Sequence, residues 1–143
     1  MSYLIINGPN LNLLGRRKPE IYGSVKFEDY LEELRAHFWD QNIDYFQSNH
    51  EGAIIDILHE VGFSIDGIVL NPGAYGHTSI AIRDAIEAIP VPVVEVHISD
   101  IAAREEFRRI SLIRDVCVTQ ISGHGLEGYR EGLEFLIGRK AIH

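Results

Sequence analysis

The chain has 143 residues, a length that fits one domain able to bury a core without disulfides or metals. Apolar residues make up 45% and charged residues 24%, and the net charge of −8 argues against a general nucleic-acid role, which needs a basic face. The one cysteine, Cys117, excludes an internal disulfide and, without a CxxC pair, a structural zinc site, and no apolar run reaches the ~18 residues that span a membrane. Met1-Ser2-Tyr3-Leu4 enters an apolar run with no basic leader, which predicts a cytoplasmic protein.

The predicted elements alternate strand and helix. Tyr3–Ile6 is a short apolar run and the first strand; residues 8–24, rich in Gly and Pro with three consecutive cations, form a loop. Phe27, Tyr30, Leu31, Leu34 and Phe38 recur at helical spacing. Ile43–Gln47 is the second strand, and Ser48-Asn49-His50-Glu51 has the form of a capping box before the stripe Ile54, Ile57, Leu58 and Val61. Gly67–Leu70 is the third strand. Thr78 or Ser79 caps a helix that turns Ile82, Ala85, Ile86 and Ile89 inward, and Pro90 and Pro92 separate it from a fourth strand at Val91–Ile98. A short helix from about Ala102 and a fifth strand at Val116–Ile121, with Cys117 buried in it, precede a last helix striped by Leu126, Tyr129, Leu133, Leu136 and Ile137. Continuous apolar strands between amphipathic helices predict a parallel sheet covered on both faces. The expected fold is α/β and flavodoxin-like, a three-layer sandwich with a five-stranded parallel sheet in the order 2-1-3-4-5 and a single domain over residues 1–143.

Four of these strands run into residues rich in hydrogen-bonding groups: Asn7-Gly8-Pro9-Asn10, Asn71-Pro72-Gly73, His97-Ile98-Ser99 and Ser122-Gly123-His124. Ligands of open α/β sheets bind beyond the carboxyl ends of the strands, so these residues predict an active site there. Glu95 and His97 lie on one face of a strand, where the carboxylate can fix the imidazole's tautomer; His97 is then a general acid or base, or else a satisfied core histidine. Asn71 can offer donor and acceptor to a hydroxylated ligand or simply cap a turn, and His77 either serves the site or packs its loop. Ser99 and the backbone amides of 98–100 enter a helix start suited to an anion. Arg104 and Arg108, four apart, share a helix face in this reading and bind an anion, or pair in solvent with Glu105 and Glu106; Arg109 is assigned to the solvated role.

The loop Gly15-Arg16-Arg17-Lys18-Pro19-Glu20-Ile21-Tyr22-Gly23 puts cations beside a tyrosine. A neighbouring guanidinium favours the phenolate, so Tyr22 beside Arg17 is either a general base on a glycine-hinged lid or a surface anchor. The histidines form no HxxxH or HExxH pair, and Gly8-Pro9-Asn10-Leu11 lacks dinucleotide-loop spacing.

Gly8-Pro9-Asn10-Leu11-Asn12-Leu13-Leu14-Gly15, Arg17, Tyr22-Gly23, Asn71-Pro72-Gly73-Ala74-Tyr75 with His77-Thr78-Ser79, Val94-Glu95-Val96-His97-Ile98-Ser99 and Arg104-Glu105-Glu106-Phe107-Arg108 together resemble type II 3-dehydroquinate dehydratase, from residue 4 to residue 137. The resemblance implies elimination of water from 3-dehydroquinate, in aromatic amino acid biosynthesis or quinate breakdown, without metal or cofactor. It implies a homododecamer built as a tetramer of trimers, and the acidic charge and short apolar runs leave neither nucleic acid nor membrane as an expected partner. By position, Tyr22 matches the base, Arg17 the residue that activates it, His97 the acid with Glu95 beside it, and Asn10 the holder of a water at the enolate. Asn71, His77, Ile98, Ser99 and Arg108 match substrate-binding positions, Arg104 the closing region, and Asp84 an aspartate that reaches a neighbouring subunit's site. Lys18, Gly76, Asp100 and residues 112–117 depart from the usual pattern. A different reading is a flavodoxin-like binding module for flavin mononucleotide or a phosphorylated effector. Its phosphate cradle wants clustered Gly, Ser and Thr, whereas the first loop carries Arg, Pro and Tyr.

Overall fold

β1 (Ser2–Asn7), α1 (Phe27–His37), β2 (Asn42–Gln47), α2 (Glu51–Val61), β3 (Gly67–Asn71), α3 (Ile80–Ala88), β4 (Val93–His97), β5 (Thr119–Ser122) and α4 (Glu127–Ile142) follow one another along the chain. This computed structural model describes residues 1–16 and 26–142. The five strands are all parallel and ordered β2-β1-β3-β4-β5, as the alternation predicts. The chain steps from β1 to β2 on one side and then returns to place β3 on the other, so the topological switch point lies between β1 and β3. Register aligns the strand ends there: Asn7 faces Asn71, and across the sheet His97 faces Ser122.

Both faces of the sheet are buried, which accounts for the unbroken apolar runs. Tyr3, Ile5, Val69, Val94 and Val96 pack under α1 and α4, against Phe27, Tyr30, Leu34, Tyr129, Leu133 and Leu136. The alternate residues Leu4, Ile6, Ile68, Leu70 and Val93 pack under α2 and α3, against Ile54, Leu58, Ile82 and Ile86. Glu95 and His97 share the pleat parity of Val93, so they belong to this second face.

Helix ends follow local chemistry, with one departure. Ser79, rather than Thr78, caps α3: its Oγ accepts from the Ile82 N–H at 2.9 Å. The capping box expected at Ser48–Glu51 does not form. Ser48 directly follows β2 and is still tied to β1, its N–H donating to the Asn7 carbonyl at 3.0 Å, and its hydroxyl accepts from the His50 N–H. α2 therefore starts after His50, too late for Ser48 to reach its first turn.

Three expected elements are redrawn. The fourth strand is shorter than Val91–Ile98, because Pro90 and Pro92 have no N–H to give a ladder; only the Pro92 carbonyl joins the sheet, accepting from Ile68. The fifth strand does not include Val116–Val118. Arg114–Val116 winds a 3-10 turn, and Cys117 emerges half-buried against the α2/α3 core rather than inside a strand. The helix expected from Ala102 is two 3-10 turns, Ile101–Ala103 and Glu106–Arg108, separated where Arg104 turns extended at ψ −175°. Arg104 and Arg108 thus do not share a helix face.

Ser79→Ala should lower the unfolding free energy by about 1 kcal/mol in urea titrations, the usual value of a lost N-cap. An unchanged midpoint would mean that another group satisfies the Ile82 N–H.

Candidate active site

At the switch point the loop after β1 lies against the turn after β3. The Gly8 N–H donates to the Asn71 carbonyl at 2.8 Å, and a Cβ on Gly8 would sit 2.4 Å from the Pro72 oxygen, so no side chain fits there. The loop then turns at Asn10, which takes the left-handed conformation at φ 68°, and its N–H donates to Asn49 Oδ1 at 3.0 Å. Asparagine tolerates this region better than most residues. Leu11 and Leu14 anchor the loop in the core below.

Asn71 is fixed from beneath. Its Oδ1 accepts from the Gly73 N–H at 3.1 Å, and its Nδ2 donates to the Tyr129 hydroxyl at 2.9 Å. Tyr129 donates in turn to Asn7 Oδ1 at 2.7 Å, and burial keeps its phenol far above the usual pKa, hence neutral and able to donate. Asn7 is thus a buried support, not a lining residue. Asn71 shapes its turn, and its carboxamide retains a second N–H and a second lone pair beyond these two contacts.

On β4, His97 is 5% exposed and Glu95 wholly buried. His97 Nε2 donates to Glu95 Oε2 at 2.5 Å, so Nδ1 is the ring nitrogen left for a ligand. Ser111 Oγ donates to the same carboxylate oxygen at 2.5 Å. Burial pushes the Glu95 carboxyl up, but the hydrogen bond and charge of His97, with the Ser111 donor and a smaller contribution from the nearby Gln120 amide, outweigh it and hold the group below the ordinary glutamate value. The His77 ring stacks on His97 with 6.0 Å between centroids, and its Nδ1 donates to the Ile110 carbonyl at 2.8 Å. In neutral His77, Nε2 is then an acceptor.

The loop after β4 brings the cations. Arg104 Nη1 donates to Ser99 Oγ at 3.0 Å, and both Arg104 and Arg108 approach the Glu105 carboxylate, at 3.6 and 2.9 Å. Ser122, at the end of β5, accepts from the Ile101 N–H and donates to the Ser99 carbonyl, which steadies that loop.

One cavity at the strand ends is lined by Asn10, Asn71, His77, His97, Ile98, Ser99, Arg104 and Arg108. Eight of the residues singled out from the sequence therefore meet in one place, and Glu95 backs His97 from within. The two arginines reach the cavity although the helix expected to carry them is absent. Arg109 stays outside it, its Nε donating to the Arg104 carbonyl, in keeping with its expected solvated role. Asp84 is exposed on α3, away from the cavity. Arg17 and Tyr22 lie outside the described residues. Ser111 is the site neighbour that sequence reasoning missed, and a serine in an irregular loop 16 residues beyond Glu95 carries no periodic or motif signal. Among the described residues no group of three His, Cys, Asp or Glu side chains is placed to hold a metal, and no helix is long and apolar enough to cross a membrane.

The depressed Glu95 carboxyl sets a stability expectation. A carboxylate with a lowered folded pKa stabilises the fold fully above its unfolded value, about 4.3, and loses that contribution as pH falls through the folded value. Wild type should exceed Glu95→Gln by about 1–3 kcal/mol in urea unfolding near pH 5, and the gap should narrow near pH 3. A gap independent of pH would show that these contacts do not hold the carboxylate ionised.

The family profile described as Dehydroquinase class II matches residues 1–137. A 3-dehydroquinate dehydratase of Caldicellulosiruptor bescii is 54% identical over 129 residues, covering 88% of this chain and 89% of that protein. A catabolic 3-dehydroquinase of Verticillium alfalfae is 51% identical, covering 92% and 89%. The crystal structure of the type II dehydroquinase from Butyrivibrio crossotus superposes with a TM-score of 0.91 at 47% identity, covering 96% of this chain and 97% of that one. With its switch-point cavity, its sheet order and this match over nearly its whole length, the chain belongs to the class II dehydroquinase family.

Proposed function

We propose that this single-domain chain is a 3-dehydroquinate dehydratase, a carbon–oxygen hydro-lyase that gives 3-dehydroshikimate by anti elimination through an enolate. The observation that carries the reading is the buried Glu95–His97 pair opening onto a cavity that also holds Asn10, Asn71 and two arginines. The substrate's C3 ketone acidifies the C2 proton. Tyr22, activated as a phenolate by the Arg17 guanidinium, takes that proton. A water held by Asn10 and nearby backbone stabilises the enolate oxygen. His97 then gives a proton to the departing C1 hydroxyl, which leaves as water. With Nε2 committed to Glu95, the donated proton comes from Nδ1, and the carboxylate opposite stabilises the imidazolium beforehand. The amides of Ile98 and Ser99, with Arg104 and Arg108 nearby, receive the substrate carboxylate, and Asn71 and His77 Nε2 bind its hydroxyls. No step calls on a metal or cofactor. Family membership does not favour a flavin mononucleotide or phospho-effector module.

Incubation with 3-dehydroquinate should produce the ultraviolet absorbance of a conjugated enone, and its absence would sink the reading. His97→Ala should lower kcat by ~10²–10⁴-fold with KM changed only a few-fold, since an acid acts chiefly in the transition state. A pure KM effect would make His97 a binding residue. Tyr22→Phe should cost a similar factor, and a variant within threefold of wild type would remove Tyr22 from the role.

The same reading proposes a cytoplasmic homododecamer, a tetramer of trimers in which Asp84 approaches a neighbour's site. Its exposure on the outer side of α3, opposite the buried Ile82, Ala85 and Ile86, supports this. Light scattering should report about twelve chains, and Asp84→Ala should lower activity without unfolding. A fully active monomer at assay concentration would refute the assembly.

A further inference from the structure

The Glu95–His97 pair has a third member that comes from another part of the chain. The segment from Arg108 to Ile113 crosses the α2/α3 side of the sheet, and it is held at several points. The Leu112 N–H donates to the Gly76 carbonyl at 2.8 Å, Arg83 Nη1 donates to the Leu112 carbonyl at 2.8 Å, and Ile113 is wholly buried. Within this frame the Ser111 hydroxyl accepts from the Ile113 N–H at 3.3 Å. One of its lone pairs is thereby engaged, and its own proton points to Glu95 Oε2 at 2.5 Å. The oxygen that receives it is the one that holds His97 Nε2. The other oxygen, Oε1, has no hydrogen-bond partner among the described residues, so Oε2 takes both strong donors and the carboxylate's orientation depends on them.

We propose that Ser111 is a positioning residue for the dehydration: by donating to Glu95 Oε2 it locks the carboxylate that orients His97, and it ties that pair to the same segment that brings Arg108 to the cavity. Ser111 need not touch substrate. Arg108 lies three residues before it and His77 is bonded to the intervening Ile110 carbonyl. One segment therefore sets a cation, a second imidazole and the support of the acid together. The ionisable groups around Glu95 are His97 on its own strand, His77 stacked behind that ring, and the Cys117 thiol before β5, which burial first and the Glu95 charge second push up; Gln120 on β5 is the neutral register partner. Arg83, on α3, lies against the segment and reaches toward Asp115 at 3.3 Å.

The test compares Ser111→Ala, Ser111→Cys and Ser111→Thr as whole enzymes. Ala deletes the donor, Cys retains the size with a weak one, and Thr keeps a hydroxyl. Ala and Cys should lower kcat about 10- to 100-fold, the range for losing a hydrogen bond to a charged group, with KM within about twofold. The acid limb of the kcat–pH profile should move to higher pH, because a Glu95 carboxylate with one donor fewer takes up a proton sooner. Thr should restore both. The second readout needs no turnover: the His97 Nε2 proton, expected downfield in the NMR spectrum because a buried carboxylate accepts it, should shift in Ala and Cys and return in Thr. Ser111 supports catalysis only if His97 is the acid, whereas the resonance reports on the Glu95 contact alone. A moved resonance with unchanged kcat overturns the catalytic role, as does an unmoved resonance with an unchanged pH profile. Failure of both Ala and Cys to fold also overturns it, since Ser111 would then serve the fold.

Discussion

An ionised carboxylate in the interior of a parallel sheet is costly unless paired and hydrogen-bonded, and Glu95 is such a group. Much of the site can be understood as its compensation. His97 is on the same face two residues on, Ser111 approaches from the long connection before β5, and Gln120 stands opposite in the ladder. Removing any one leaves a buried charge less well matched. The charge in turn gives the imidazole one orientation and one free nitrogen, the property an acid needs at a fixed point in the cavity.

The second constraint is the sheet order. Because the crossover reverses between β1 and β3, their carboxyl ends open side by side without a helix covering both. The register that pairs Asn7 with Asn71 places two carboxamides within reach of one tyrosine hydroxyl. Tyr129 is 58 residues from Asn71 and 122 from Asn7, so the last helix is joined to the floor of the site by two hydrogen bonds. Burial of Tyr129 in the α1/α4 core and fixation of Asn71 are one packing event.

Strand order, helix stripes and the grouping of residues at strand ends were legible in the sequence because each rests on periodicity or on a rule of parallel sheets. Glu95 and His97 at spacing two gave their common face directly. What was not legible has a common physical origin in backbone groups whose partners are distant. Whether Ser48 caps a helix depends on the Asn7 carbonyl, which claims its N–H first. The two 3-10 turns in place of a helix follow from an extended Arg104, which no propensity forbids or demands. Arg104 and Arg108 do line the cavity, but not by the geometry their spacing suggested. Their convergence comes from the path of the loop, with Glu105 between them, and not from a shared helical face. Tyr129 was legible as a core aromatic, but its hydroxyl's partners were not, since they are set by tertiary packing.

The contact between the loop after β1 and the turn after β3 is a contact of backbone against backbone. Pro72 is its centre: its oxygen excludes any Cβ at Gly8, and its ring lies 2.9 Å from where a Cβ on Gly76 would be. Excluded volume does not titrate and is not screened by ions, unlike the charges on the opposite wall. The cavity thus joins two kinds of wall. The Asn10 and Asn71 side is outlined by close backbone packing, while the field on the arginine side is screened as ionic strength rises. A change of solvent composition alters the electrostatic potential felt by a bound anion without altering the outline into which it fits.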